Sequence, residues 1–370
     1  TLAPDPEDYL SPWERAESQG GPDGHGRFDL TDWNGDYFDR LEGFIREADR
    51  HDVIVELVLF CTIYEDTLWA VNPMNPKNNI QQYDSLGRKE IYNGQNERLT
   101  QLQERFVRKV VTELNGFDNL YFEIANEPYF GGFTEEWKDR MIAAIEETES
   151  ELPQQHLIAQ NVANESAAVE DPNPATDVIN FHYARPEAVD RNYHLDRVLG
   201  DDETGFDCTG DGPYRKEAWQ FLLAGGGAFS HLDYSFSVEN PRGTKDPGTS
   251  PGGGGETLRA QLSYLRTFLE SYDLPQLHPA DSIVAGGVPD TVTVEAIGET
   301  DGEGFAVHLT GGRQLDLELN LPAGSYRARW IDPAARDTIG ETQVEGGAEP
   351  ALLESPEYEA DLTLELRQER

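Results

Sequence analysis

The sequence has 370 residues, with 70 Asp and Glu against 29 Lys and Arg, a formal net charge of −41. With 37% apolar and 10% aromatic residues it can bury one large core or two ordinary ones, which excludes a mainly disordered chain. The negative charge argues against DNA, RNA and anionic membrane surfaces as partners, and no apolar run approaches the about 18 residues of a spanning helix. Two cysteines, Cys61 and Cys208, exclude a disulfide framework, a zinc finger and a dithiol motif.

Residues 1–30 are rich in Pro, Gly, Asp and Glu and predict no strand. Phe38, Leu41, Phe44 and Ile45 then recur at helical spacing, with Asp32 as a plausible N-cap. Residues 53–60 are nearly continuously apolar and β-branched, as in a buried parallel strand. A polar loop over 61–95 leads to a helix at 97–114 and a strand at 120–125. A helix at 135–147, strands at 156–160 and 177–183, a short strand at 197–200, a helix at 215–223 and a strand at 228–236 follow. A Gly/Pro-rich loop over 240–255 precedes a last helix at 257–271.

This alternation predicts crossover units and a parallel sheet. Polar and charged residues close nearly every strand at its C-terminal end, which fits a (β/α)8 barrel better than a doubly wound sheet. Six strands are visible. The simplest account is that the chain begins in the loop after barrel strand two, making 53–60 strand three. From 282 the pattern changes to period two, in runs at 282–285, 291–296, 305–309, 315–321, 325–331 and 362–366. That predicts an antiparallel β-sandwich. The expected domains are residues 1–281, an N-terminally incomplete barrel, and 282–370, the sandwich.

Lysine occurs only at 77, 89, 109, 138, 216 and 245. An acidic, lysine-poor surface stays hydrated in concentrated salt, where screening removes self-repulsion, so the composition reads as that of a halophile. An acidic, high-GC proteome gives the same bias. Residue 1 is Thr, with no signal peptide or lipidation motif following, so the N-terminus assigns no location and a start upstream is expected.

Two motifs carry chemistry. Tyr121-Phe-Glu-Ile-Ala-Asn126-Glu127-Pro128 is a strand stopped by proline, which leaves Glu127 at the strand's C-terminal rim. Val198-Leu-Gly-Asp-Asp-Glu203-Thr-Gly205 is a second strand ending in carboxylates. Two carboxylates around one barrel mouth suit glycoside hydrolysis, where one protonates the leaving oxygen and the other attacks or activates water.

Asn126-Glu127-Pro128 resembles the acid/base motif after the fourth strand in the clan of retaining, barrel-shaped glycoside hydrolases that includes cellulases and β-mannanases. Glu203 in Asp-Glu-Thr-Gly matches that clan's nucleophile position after the seventh strand. Phe181-His182-Tyr183 is similar to its His/Tyr contribution from strand six. The Trp330-Ile-Asp-Pro333 turn resembles a C-terminal module of some of these enzymes that is named for collagen binding, a name that does not establish the activity. The resemblance implies an acid/base role for Glu127 and a nucleophile role for Glu203. Asn126 would bond the sugar 2-hydroxyl, and His182 and Tyr183 would contact the nucleophile or sugar. The substrate would be a β-linked oligo- or polysaccharide, with no cofactor and no metal. Two departures concern specificity: the clan's strand-two Arg cannot be assigned, and Ser230-His-Leu-Asp-Tyr-Ser235 stands where a Trp often ends strand eight.

Other readings stay open. Asp201 and Asp202 also fit solvated or structural carboxylates, Glu123 a buried barrel residue, and His182 and Tyr183 structural side chains. Trp13, Trp69, Tyr129, Phe130 and Tyr234 can stack on sugar rings or pack in the core, whereas Trp219 and Trp33 read as packing residues. Gly252-Gly-Gly-Gly-Glu lacks the Lys-Ser/Thr of a phosphate loop, and the histidines show no His-Glu-x-x-His. Asn164-Glu165-Ser166 is a glycosylation sequon placed after a strand. A non-catalytic carbohydrate-binding protein on a degenerate barrel is the main alternative.

Overall fold

The computed structural model describes residues 9–17, 20–21, 24–81, 83–206, 209–248 and 252–369. Cys208 lies outside the described residues. The chain divides into two compact units. The first is Thr1–Ala163 with Val169–Asn180, and the second is Asn164–Ala168 with Phe181–Arg370.

The first unit opens with strands β1 (Trp13–Arg15) and β2 (Phe28–Trp33), an antiparallel pair with Trp13 opposite Trp33. The Pro/Gly-rich opening is therefore not free of strands. Phe28 and Leu30 alternate inward along β2, a period-two signal too short to outweigh its turn-rich surroundings. Helix α1 (Gly35–Asp49) follows. Its cap is Asn34, whose side chain accepts from the Asp36 N–H, and not Asp32, which lies within β2.

Next come β3 (Val55–Cys61), the short helix α2 (Asp66–Val71) and α3 (Glu97–Leu114), capped by the Asn96 side chain. Strand β4 (Leu120–Asn126) leads through the one-turn helix α4 (Pro128–Gly131) to α5 (Glu135–Glu149) and β5 (Ile158–Asn164). Strands β3 and β4 run parallel, in a register from Val55 opposite Leu120 to Cys61 opposite Asn126. Their C-terminal ends therefore coincide. The apolar faces of α3 and α5 close over the sheet through Phe106, Val110, Trp137 and Met141. Trp137 is fully buried, and its indole donates to the Gln103 side chain at 2.8 Å. Truncating it to Ala would cost about 3–5 kcal/mol.

The loop between α2 and α3 is ordered by buried amides. Asn78 donates to the carbonyls of Ala70 and Asn72, and Asn79 to those of Pro73 and Asn75. Side chains thus supply the backbone partners that a ladder would give elsewhere.

Strand β6 (Val178–His182) is fully buried and contains the division between the units. The second unit continues with α6 (Pro186–Asn192), β7 (Val198–Glu203), α7 (Asp211–Leu223), β8 (Ala228–Phe229) and α8 (Glu256–Leu269). Strand β7 extends three residues beyond its predicted end, and β8 is two residues long instead of nine. Strands β3 to β8 follow one another in chain order in one sheet, alternating with helices as in a partial (β/α)8 barrel.

Among the described residues, nine antiparallel strands complete the second unit: β9 (Leu277–Pro279), β10 (Val284–Gly286), β11 (Thr293–Glu299), β12 (Gly304–Thr310), β13 (Asp316–Leu319), β14 (Gly324–Asp332), β15 (Asp337–Gly346), β16 (Ala351–Glu354) and β17 (Asp361–Gln368). They form a six-stranded sheet, β15-β14-β17-β12-β11-β9, and a three-stranded sheet, β10-β13-β16. One buried cluster takes side chains from both, including Leu317, Leu319 and Leu353 with Val307, Tyr326, Trp330 and Leu364. Strand β15 escaped prediction because it is an edge strand with mostly exposed Thr, Glu and Gly residues. Helix α7 rests on the larger sheet. Trp219 stacks on His308 with ring centroids 5.4 Å apart, and Arg215 forms a buried ion pair with Asp361 at 2.5 Å.

Candidate active site

In the first unit, Pro128 ends the β4 ladder and Glu127 takes up left-handed backbone angles, φ 46° and ψ 52°. That conformation is costly for a residue with a Cβ and recurs at functional sites. Neighbouring strand ends hold it in place. The Thr62 hydroxyl donates to the Glu127 carbonyl at 2.6 Å, and the Glu127 N–H donates to the Asn161 side-chain oxygen at 3.2 Å. The carboxylate itself is held by Tyr64, three residues beyond β3, whose hydroxyl donates to Oε2. Asn126 Nδ2 donates in turn to the Tyr64 oxygen at 3.0 Å. Burial, and then the bond to Glu127, push the Tyr64 phenol far above its usual pKa, so it remains a hydrogen donor throughout the working pH range.

In the second unit, Glu203 is the last residue of β7. Tyr183, also left-handed at φ 56°, is tied to it twice. Its N–H donates to the Glu203 carbonyl at 2.9 Å, and its hydroxyl donates to Oε1. His182 is 1% exposed, with Nδ1 3.7 Å from Glu203 Oε1 and Nε2 3.6 Å from Asp202 Oδ1. The imidazole is thus wedged among carboxylates. Asp201 is fully buried and accepts from the Ala184 N–H at 3.1 Å. Burial, and then the charge of Glu217, push its pKa well above the usual carboxylate range. Asp201 is therefore a structural carboxyl and not a solvated one.

The aromatic candidates separate by exposure. Trp13 is 5% exposed and packs among Trp33 and Phe106 in the core. Trp69 is nearly buried but lines a cavity in its own unit. Tyr129 and Phe130 are exposed and meet edge to face directly after Glu127. Tyr234 is partly buried beside Phe206, which also meets Tyr183 edge to face. The glycine loop before α8 packs against this ring. A Cβ at Gly252 would lie 2.5 Å from the Tyr234 ring, so that position accepts only glycine without rearrangement. Glu123 is fully buried and accepts from Asn180 Nδ2 at 2.9 Å, the barrel-interior role that its place inside the strand suggests.

Tyr64 and Phe206 were not legible as site residues. Neither belongs to a motif, and each lies three residues past a strand end. Strand-end position was the available signal.

No family model matches the chain, and no curated protein matches it. Solved structures do. A Bacteroides vulgatus protein described as a glycoside hydrolase superposes with a TM-score of 0.68 at 14% identity, over 97% of this chain and 69% of that one. A glycoside hydrolase family 5 protein of the same organism gives 0.55 at 13%, over 90% and 86%. An Anoxybacillus α-amylase gives 0.53 at 11%, over 92% and 80%. At these identities the likeness is one of fold.

Proposed function

We propose that the protein is a retaining glycoside hydrolase acting on β-linked glycosides or polysaccharides. One observation carries the reading: each of the two motif glutamates stands at the C-terminal end of a strand of the parallel sheet, with its carboxylate bonded by a tyrosine hydroxyl. Strand ends of that kind are where barrel enzymes place their catalytic groups. The solved structures of similar fold support the reading.

In this mechanism Glu203 attacks the anomeric carbon while Glu127 gives its proton to the leaving oxygen. A covalent glycosyl ester forms on Glu203. Glu127, now a carboxylate, takes a proton from water, and that water displaces the sugar from Glu203. Tyr183 holds Oε1 of Glu203 and so orients the other oxygen for attack. Tyr64 holds Oε2 of Glu127. Asn126 bonds the sugar 2-hydroxyl, an interaction that strengthens in the oxocarbenium-like transition state. His182 fixes the Glu203 rim, and Tyr129 and Tyr234 offer ring faces to sugars. The antiparallel strands serve as a β-sandwich accessory module without catalytic groups. The acidic, lysine-poor composition is an adaptation to concentrated salt.

The test begins with a hydrolysis screen against β-linked polysaccharides and aryl glycosides in molar salt. On a confirmed substrate, Glu203→Ala should abolish hydrolysis, and azide should partly restore turnover as the α-azide. Glu127→Ala should spare aryl glycosides with good leaving groups, and azide should then give the β-azide. Full activity in both variants would overturn the assignment.

A further inference from the structure

A cavity of about 630 Å³ in the first unit lies outside the catalytic scheme. It is built on the segment after β3 that also delivers Tyr64: Asp66, Trp69 and Ala70 of α2 line it, with Asn75, Lys77 and Asn78 beyond. Arg27 closes it from the residue before β2.

Its charge is unusual for this chain. Cations are outnumbered more than two to one, 29 against 70, and lysine is scarce, yet two cations line this one cavity. Asp66, the carboxylate at its wall, is engaged by Arg88 at 3.1 Å. Among the described residues, neither the Arg27 nor the Lys77 side chain has an ion pair or a hydrogen bond, and Arg27 Nε is buried without a partner. Asn78 is 1% exposed, and its Nδ2 donates to the Ala70 and Asn72 carbonyls, which fixes this wall of the cavity.

We propose that this cavity binds an acidic sugar: a pyranose carrying a carboxylate or a sulfate. The inference rests on the glycoside reading for the sugar and on the cavity for the charge. The Arg27 guanidinium matches either anion with a pair of parallel N–H donors, and Lys77 adds a point charge. Trp69 supplies an apolar wall for the C–H face of the ring. The overall charge of −41 repels anions, so a preference for the anionic sugar must come from these local groups and not from the general field of the protein.

The test is equilibrium binding, followed by tryptophan fluorescence and calorimetry, with glucose, glucuronate and glucose 6-sulfate as probes. One or both anionic sugars should bind at least about tenfold more tightly than glucose, since charge-assisted pairs are the stronger ones. Comparison of the two separates carboxylate from sulfate recognition. Arg27→Met and Lys77→Met, both at positions outside the core, should each reduce the preference, and added salt should weaken it. Equal binding of all three sugars overturns the inference, and so does a preference that survives both substitutions. Hydrolysis of a neutral aryl glycoside is measured on the same proteins. Preference without hydrolysis sinks the glycosidase reading alone, and hydrolysis without preference sinks this inference alone.

Discussion

Replacing Glu295 by Gln should stabilise the protein at alkaline pH and change it little near pH 4.5. Glu295 lies on β11, partly buried, near Asp281, Asp190 and Glu187. Burial, and then the charges of those three carboxylates, push its carboxyl from 4.5 up to about 8. Between those values the folded chain holds a proton that the unfolded chain has released. Stability therefore falls as pH rises through the window and stays low above it. At 1.36 kcal/mol per unit the full shift corresponds to about 5 kcal/mol. Structural relaxation and water reaching the carboxyl reduce this to about 2–3 kcal/mol. The assay is urea unfolding of parent and variant from pH 5 to pH 9, urea being uncharged and leaving the electrostatics unscreened. The gap should open steadily up to about pH 8 and then level off. Parallel curves across the whole range, or a variant that loses stability relative to the parent as pH rises, would refute the reasoning.

Three further outcomes are expected. The thermal midpoint should rise steeply from low to molar salt as self-repulsion is screened, and a flat response would count against a salt-adapted surface. Asp361→Asn should destabilise the protein by about 3–5 kcal/mol, because it strands the buried Arg215 guanidinium now held by two contacts; urea unfolding at neutral pH measures this. Tyr64→Phe should lower kcat/KM on the confirmed substrate by about tenfold or more, the worth of a hydrogen bond to a charged group.

The alternation of strands and helices was readable because β4 and β6 are short buried runs and α3 carries its apolar stripe over the full 97–114 span, whereas the run at 53–60, read as a buried strand, forms β3 with only Leu59 and Phe60 buried and leaves Val53, Ile54 and Val58 exposed. What escaped was held by context. Strand β2 hides in a turn-rich segment, β15 buries little, and the predicted strand over 228–236 gives way after Phe229 to a loop organised by Asp233, Ser235 and Arg259. Within the site, Glu127 and Glu203 could be singled out because proline and threonine-glycine punctuate their strands. The residue Tyr64 could not, since its role depends on the β3–β4 register that brings Cys61 opposite Asn126. Trp13 shows the converse. It looks like a sugar platform in sequence, yet pairing of β1 with β2 carries it into the aromatic core.

The claim that Glu203 becomes covalently attached to sugar is tested most directly by trapping. In an activated 2-deoxy-2-fluoro glycoside of the sugar chosen by the hydrolysis screen, the fluorine destabilises both oxocarbenium-like transition states, while the good leaving group restores ester formation alone, so the ester accumulates. Mass spectrometry of the digested protein should find the fluoro-sugar on the peptide containing Glu203, and Glu203→Gln should remain unlabelled. An active enzyme that takes up no label, or that carries it on another residue, would contradict the account.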